Sequence, residues 1–418
     1  MKSDVQLSTR FATTQNAHQV GMLVTLAGEA PTRRAPINVS LVLDRSGSMA
    51  GMPIVAARAA AERFASFLSP SDRLSVVAFD DIVETVFGPA PAGQPAAIAA
   101  IQSLTTRGCT NLSGGWLQGM QHVSASMMDG TNRVVLLTDG QANRGITGIP
   151  QLVTMARSAR GNRISTTCIG FGADYNENLL EPMARDGGGN YWFVEAEDQM
   201  ADIFENEIEG LVALSAQNVS IEIRLTHPAA AGVTFLQSMP VVTTPDGAWR
   251  VTLGDLYATS PRSLGIRFHV NDVAQLGKVE VARVRIEADV VTDEGITHRT
   301  TIMPVMANLD GSDHVEPVVE ETFLRFEAAR AREEAITLAD QGDYDRASTV
   351  LREQIVACSV MADSANIADE IADLRQEAER LSQRQYSAMD RKYNAAMAMS
   401  SREGKEKYTR QLRQKRGL

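Results

Sequence analysis

The sequence has few cysteines, few histidines and no long apolar run, and each shortage excludes a class of protein. Three cysteines, Cys109, Cys168 and Cys358, lie far apart in 418 residues, so we expect no disulfide framework, and a reducing compartment fits. No run of about 18 apolar residues is present to span a bilayer. The start, "MKSDVQLSTR", lacks the apolar centre of a signal peptide. We therefore expect a cytoplasmic protein without a membrane span.

Clustered positive charge is also scarce. The formal net charge of −11 and the pI near 5.2 argue against a nucleic-acid partner, because binding phosphates needs grouped Lys and Arg. Residues 401–418 are the exception, with seven Lys or Arg and two Glu. Such a run is typical of a solvated, flexible tail, and a docking arm for an acidic partner is the alternative.

Signatures of several enzyme classes are missing as well. The six histidines are scattered, and none forms a pair at the helical spacing of a metal site. The sequence has no Walker P-loop and no Gly-x-Ser-x-Gly motif around a nucleophilic serine. The stretch "GFGADY" (170–175) lacks the third glycine of a dinucleotide-binding loop.

Three patterns follow one another along the chain. From about residue 35 to 214, short apolar runs alternate with helical stretches, which predicts a doubly wound α/β sheet with mostly parallel strands. Strict two-residue alternation, typical of half-buried antiparallel strands, occurs both before and after this part. We therefore predict that the α/β domain is inserted into one β-sandwich. Helical periodicity follows the sandwich.

The predicted division has five parts. They are the first sandwich strands (1–34), the α/β domain (35–214), the rest of the sandwich (215–312), a helical hairpin or bundle (313–400) and a flexible basic tail (401–418). Within 215–312 the apolar positions change parity, which predicts a β-bulge near Ala282–Arg283.

Five oxygen-bearing side chains stand at the ends of predicted elements of the α/β part. Asp44, Ser46 and Ser48 form "DRSGS" directly behind the apolar run "INVSLVL". Thr110 lies in "RGCTNLSGG" before a predicted helix, and Asp139 lies in "VVLLTDGQANRG" after a predicted strand. Taken singly, each has an ordinary explanation as a turn residue or a helix cap. Open α/β sheets, however, bind ligands at the carboxyl ends of their strands, where all five are expected to meet.

The chemistry of this set predicts a site for a hard divalent cation. Two carboxylates and three hydroxyls supply only oxygen, which Mg²⁺ prefers, and Mg²⁺ keeps water at its remaining positions. At least one coordination position is then not filled by the protein. Such a position attracts an external carboxylate.

These motifs resemble the metal-ion-dependent adhesion site of von Willebrand factor A (VWA) domains. Beyond the ligands, "VVAFDD" (76–81), "GFGADYNENLLEPMARDGGGNYWFV" (170–194) and "DQMADIFENEIEGL" (198–211) fall in the order that the family shows. The resemblance covers about residues 35–214. It is greatest to intracellular bacterial members that are similar to inter-alpha-trypsin inhibitor heavy chains and calcium-activated chloride channel regulators, and it implies a Rossmann-like VWA fold.

The resemblance also implies a role for each residue of the set. Asp44, Ser46 and Ser48 are expected to bind Mg²⁺ directly, or Mn²⁺ or Ca²⁺ in its place. Thr110 is expected to bind directly when the site holds its ligand, and Asp139 to bind through water.

One position departs from the family pattern. Related sequences often read Gly-Gly-Thr-Asn where this chain has Cys109 as the second residue. We interpret Cys109 as a small packed residue. The alternative is an exposed thiolate that binds softer metals or oxidises.

The resemblance implies a non-enzymatic module that binds a protein partner through the metal, with an exposed Asp or Glu of the partner completing the coordination. The alternative is an adaptor or accessory subunit of a MoxR-type AAA+ ATPase, a role that the acidic body, the helical extension and the basic tail suit. A metal-dependent hydrolase is a third possibility. It needs a general base, and the nearest candidates in the sequence, Asp80 and Asp81, are interpreted as loop residues.

Overall fold

The computed structural model describes residues 1–12, 17–30, 34–271, 277–292 and 295–416. The strands of this part of the chain are β1 (Lys2–Ala12), β2 (Ala17–Ala27), β3 (Ile37–Asp44), β4 (Arg73–Phe79), β5 (Val83–Pro91), β6 (Thr131–Thr138), β7 (Ser165–Phe171), β8 (Gly188–Val194), β9 (Leu214–Leu225), β10 (Ala230–Phe235), β11 (Val241–Thr243), β12 (Trp249–Tyr257), β13 (Arg262–Asn271), β14 (Gly277–Thr292) and β15 (Gly295–Leu309). The α-helices are α1 (Met52–Phe67), α2 (Pro95–Gln102), α3 (Leu112–Ala125), α4 (Ile149–Gly161), α5 (Glu177–Asp186), α6 (Met200–Val212), α7 (Pro317–Asp340), α8 (Tyr344–Cys358), α9 (Ala365–Ser382), α10 (Ala388–Glu403) and α11 (Glu406–Arg416).

The central sheet belongs to the α/β domain. Its strand order is β5-β4-β3-β6-β7-β8, and all neighbours are parallel except the antiparallel pair β4 and β5. Every residue of β3, β6 and β7 is buried, because helices pack on both faces of a parallel sheet and leave neither face to solvent. Continuous apolar runs are the sequence pattern of such strands, and the predicted doubly wound sheet is confirmed.

The edge strand β5 is missing from the sequence-based prediction. It contains Gly88 and Pro89, which are joined by a cis peptide bond, and its residues are exposed or half-buried. Proline cannot donate a hydrogen bond to a neighbouring strand, so it is tolerated at the edge of a sheet. The Gly-Pro pair therefore removes the apolar run by which the other strands were found.

The sandwich consists of two antiparallel sheets. One has the order β1-β2-β13-β10 and the other β11-β12-β9-β14-β15, and the inward residues of both form one hydrophobic core. Since β1 and β2 precede the α/β domain and β13 follows it, the predicted insertion is confirmed. The register of β14 and β15 shifts between Glu280 and Ala282, next to the position predicted for a bulge.

The C-terminal part is helical, beginning with the antiparallel pair α7 and α8. Residues 401–418 were predicted to form a flexible tail. Up to residue 416 this segment is largely helical instead, because α10 continues to Glu403 and α11 follows. Tyr408 and Leu412, four residues apart on α11, are buried against the α/β core, and Arg413 pairs with Asp373 of α9 at 2.7 Å. Much of the predicted tail therefore lies in a helix that packs against the α/β domain. Residues 417–418 lie outside the described residues, and no helix in the described ranges has both the length and the apolar character to cross a bilayer.

Candidate metal centre

The five predicted ligands come from three loops at one edge of the α/β sheet. Asp44 ends β3, and Ser46 and Ser48 follow it in the turn before α1. Thr110 lies just before α3, and Asp139 follows β6 directly. Because β3 and β6 are parallel neighbours, their carboxyl ends bring these loops together.

Hydrogen bonds connect four of these residues. The backbone N–H of Ser46 donates to Asp44 Oδ1 at 2.8 Å, the Oγ atoms of Ser46 and Ser48 are 3.1 Å apart, and Ser48 Oγ donates to Asp139 Oδ1 at 2.8 Å. Thr110 faces the same place, because its Oγ1 lies 3.1 Å from the position that a Cβ atom on Gly140 would take. The structure thus brings all five predicted residues together.

Burial makes the two carboxylates of this cluster difficult to ionise. Asp44 is fully buried and Asp139 is 7% exposed. Desolvation raises the pKa of Asp44 to about 6, although hydrogen bonds from Thr138 and Ser46 oppose the rise, and desolvation also raises the pKa of Asp139. Across the described ranges, no Lys, Arg or His forms an ion pair with either carboxylate; the adjacent Arg45 pairs with Asp80 instead. Within the described part of the chain, the cluster therefore has two desolvated carboxylates and no positive side chain to neutralise them.

Four residues that support the cluster were not among the predicted ligands. Thr138, the last residue of β6, donates a hydrogen bond to Asp44 Oδ2. Asp80 is buried after β4 and accepts hydrogen bonds at 2.7 Å from the Nε atoms of both Arg45 and Arg107. Arg45 follows Asp44, and Arg107 precedes Thr110, so Asp80 fixes two ligand loops to each other. A lone Thr or Asp at a strand end carries no sequence signal for such a role.

Asp80 and Asp81 do lie in the loop after β4, as interpreted from the sequence. Desolvation acts to raise the pKa of Asp80, but hydrogen bonds from the Ile82 amide and Arg107 and the charge of Arg45 together lower it. Asp81 accepts a hydrogen bond from the Cys109 amide at 3.2 Å. Both carboxylates are thus engaged in holding loops.

The interpretation of Cys109 as a packed residue is wrong, because its side chain is exposed. The backbone before it explains this. Gly108 has a φ of +68°, and a Cβ atom there would lie 1.6 Å from Asp81 Oδ1. Asp81 therefore fills the space beside this turn, and the thiol of Cys109 points to solvent at the rim of the cluster.

The chain matches known proteins in both sequence and structure. Residues 38–206 match the family model of the von Willebrand factor type A domain. An uncharacterized protein of Synechocystis sp. is 26% identical over 364 residues, which are 84% of each chain. The inter-alpha-trypsin inhibitor heavy chain H1 of Sus scrofa is 28% identical over 210 residues, which are 48% of this chain and 23% of the heavy chain.

Two solved structures share the fold over most of this chain. The von Willebrand factor type A protein of Catenulispora acidiphila has a TM-score of 0.67 and 19% identity and covers 89% of both chains. The ArnB paralog VWA2 of Sulfolobus acidocaldarius has a TM-score of 0.61 and 15% identity and covers 96% of this chain and 98% of its own.

The α/β sheet with its cluster at the carboxyl edge is a VWA domain. In this chain that domain is joined to two antiparallel sheets and to C-terminal helices. VWA domains generally bind a divalent metal at this edge and are commonly protein-interaction modules. The residues present fit such an ion, because two buried carboxylates, which have no ion-pair partner among the residues that the structure describes, and three hydroxyls form an all-oxygen donor set.

Proposed function

We propose that this protein is a non-enzymatic, divalent-metal-dependent module for binding another protein, acting in the cytoplasm. Mg²⁺, or Mn²⁺ or Ca²⁺ in its place, would be held by Asp44, Ser46, Ser48 and Thr110, and by Asp139 through water. When bound, the cation supplies an electrophilic position that a carboxylate of the partner completes. The observation that carries this proposal is the pair of buried carboxylates, which no positive side chain of the described residues neutralises.

The surface around the cluster supports a protein as the ligand. Met52, at the start of α1, is 63% exposed, and Ile82, in the loop after β4, is 58% exposed. Both belong to loops or helix ends at the carboxyl edge of the sheet, where the cluster lies. Exposed apolar side chains beside a polar site suit a flat protein surface, since they lose contact with water when a partner covers them.

Asp80, one of the two candidates for a general base, is not suited to hydrolysis. A general base needs a free oxygen with a pKa near the working pH. Asp80 has both arginines on one of its oxygens and the Ile82 amide on the other, and its pKa is lowered. It is therefore suited to holding loops rather than to removing a proton.

The adaptor role remains a second candidate, and one observation favours it. Val356, in the last turn of α8, and Val360, in the turn that follows it, are 72% and 80% exposed. They belong to the helical part and not to the VWA domain, so they offer a second apolar surface. Loss of an AAA+ ATPase from the purified complex after substitution of both valines by Ser, with metal-dependent binding intact, would support an adaptor.

The proposal is tested by metal titration and by capture of partners. Isothermal titration with Mn²⁺ should show binding to the wild-type protein and none to Asp44→Ala. The matched control is Asp345→Ala, which removes an exposed carboxylate from the first turn of α8. Partners captured in Mg²⁺ should be lost in EDTA and with Asp44→Ala, and kept with Asp345→Ala. Metal-dependent capture that survives in Asp44→Ala would refute the assignment.

A further inference from the structure

A second cleft lies at the opposite edge of the VWA sheet. It occupies about 460 Å³ between the VWA domain, the sandwich and α10. Its VWA walls come from the last turn of α4 and from the first residues of β8, which mark the amino ends of the strands. The metal centre lies at the carboxyl ends, so the two sites are separate.

The lining of this cleft is dominated by arginine. We call it the arginine cleft after the six residues Arg157, Arg160, Arg185, Arg250, Arg262 and Arg402. Only two carboxylates, Asp186 and Glu403, are among its lining residues. This local excess of basic side chains in the lining contrasts with the net charge of −11 of the whole chain.

Five of the six arginines have carboxylate partners. Their pairs are Arg157–Asp186, Arg185–Glu181, Arg250–Glu222, Arg262–Glu403 and Arg402–Glu333. Asp186 also pairs with Arg185, so its charge is shared between two arginines.

Arg160 is the exception. Among the described residues it forms no ion pair, and its buried Nη2 has no hydrogen-bond partner. The Nε of Arg250, also in the lining, is likewise buried without a partner. Buried guanidinium N–H groups are nearly always satisfied, because leaving one without a partner costs free energy. Desolvation lowers the pKa of Arg160, in line with a charge that has no near counter-charge.

The backbone around Arg160 is shaped to admit its side chain. A Cβ atom on Gly188 would lie 3.0 Å from Arg160 Nε, and one on Gly254 would lie 3.7 Å from Nη2. Gly188 and Gly254 have φ values of +73° and +91°, which favour glycine. The guanidinium thus occupies a place built by two glycines, one in the VWA domain and one in the sandwich.

The nearest carboxylates do not account for Arg160. Asp255 attracts it at longer range, but Asp255 is bound by the buried Arg133. Asp186 is held by Arg157 and Arg185. Neither leaves a full negative charge for Arg160.

We propose that the arginine cleft binds a small molecule through a phosphate group, with Arg160 and Arg250 as the principal donors. Phosphate oxygens accept the paired N–H groups of guanidinium in a planar, bidentate geometry and carry more than one negative charge. A second cleft, of about 550 Å³, shares Arg262, Ser263 and Arg402 with the lining of the arginine cleft.

The test is isothermal titration of the full chain with pyrophosphate at low ionic strength. EDTA is present so that no metal complex forms at the other edge. We expect saturable binding to the wild-type protein, weakened about tenfold or more in Arg160→Met, because charge-assisted hydrogen bonds are lost. Arg352→Met, an exposed arginine of α8, is the matched control and should bind as the wild type does.

Further variants separate this site from the metal centre and from misfolding. Asp44→Ala should keep pyrophosphate binding, since the proposal does not rest on the metal. If Arg160→Met fails to fold, Arg250→Met takes its place, because Arg250 is half-exposed. The proposal is overturned if the wild type shows no binding at about 1 mM pyrophosphate, if Arg160→Met or its replacement binds as tightly as the wild type, or if succinate binds as tightly as pyrophosphate.

Discussion

The ion pair between Arg133 of β6 and Glu207 of α6 is fully buried, and neutralising it should destabilise the VWA domain strongly. Glu207 Oε1 accepts hydrogen bonds from Arg133 and from Thr167, at 2.8 and 2.7 Å. Its Oε2 accepts from Asn190 and from Trp192, at 2.8 and 2.9 Å. Four donors from three strands therefore converge on one carboxylate of the last helix of the domain.

The substitution Glu207→Gln keeps the shape of the side chain but replaces one of its two acceptor oxygens with an NH₂ donor. If the NH₂ group of the amide faces Asn190 and Trp192, it meets two N–H donors; if it faces Arg133 and Thr167, only the Thr167 hydroxyl can turn to accept from it. One or two buried hydrogen bonds are therefore lost, at about 1–3 kcal/mol each. The charge of Arg133 is also left with Asp255 alone. We expect the free energy of unfolding to fall by about 3–5 kcal/mol, the range for a buried pair that loses one partner.

The same helix supplies a matched control. Glu205 pairs with Arg63 at 3.1 Å, but the two side chains are 45% and 60% exposed, so Glu205→Gln should change stability by less than about 0.5 kcal/mol. Urea unfolding followed by tryptophan fluorescence measures both variants, since Trp192 contacts Glu207 directly. A Glu207→Gln protein as stable as Glu205→Gln would refute the reasoning.

Two further predictions concern thiol chemistry and pH. Cys109 is exposed whereas Cys168 and Cys358 are buried, so one thiol of the native protein should react rapidly with Ellman's reagent and three in denaturant; Cys109→Ala should lose the rapid reaction and keep Mn²⁺ binding. Burial raises the pKa of Glu377 from 4.5 to about 7 against the opposing charge of Arg332. Because the folded-state pKa is the higher one, the stability that Glu377 contributes is present below pH 4.5 and is lost as the pH rises through about 7. Glu377→Gln should flatten the fall of the melting temperature over that range, and a wild-type pH profile in the variant would contradict the assignment.

The predicted fold follows the sequence wherever one pattern repeats over several residues. The apolar runs of β3 and β6 and the alternation of β14 were sufficient to find these strands. The strand β5 was not predicted, because Gly88 and Pro89 interrupt its apolar pattern. The packing of α11 was not predicted, because Tyr408 and Leu412 are two apolar residues among many charged ones. Whether the helix packs depends on the fit of these two side chains against the VWA core.

The two candidate sites also differ in how far the sequence could predict them. Asp44, Ser46 and Ser48 stand in one short motif, so the sequence could indicate that they meet, and the structure brings Thr110 and Asp139 to them. The residues of the arginine cleft are spread from α4 to α10. No local spacing links them, and only the packing of three parts of the chain creates the site.

The insertion of the VWA domain also sets the order in which the protein can be built on the ribosome. Val24 of β2 is paired with Leu264 of β13, and the whole VWA domain is translated between them. A two-stranded hairpin is marginally stable alone, so β1 and β2 have no completed sheet to join until β13 emerges. A nascent chain that ends before Arg262 therefore holds every proposed metal ligand beside a half-built sandwich whose apolar face is still uncovered.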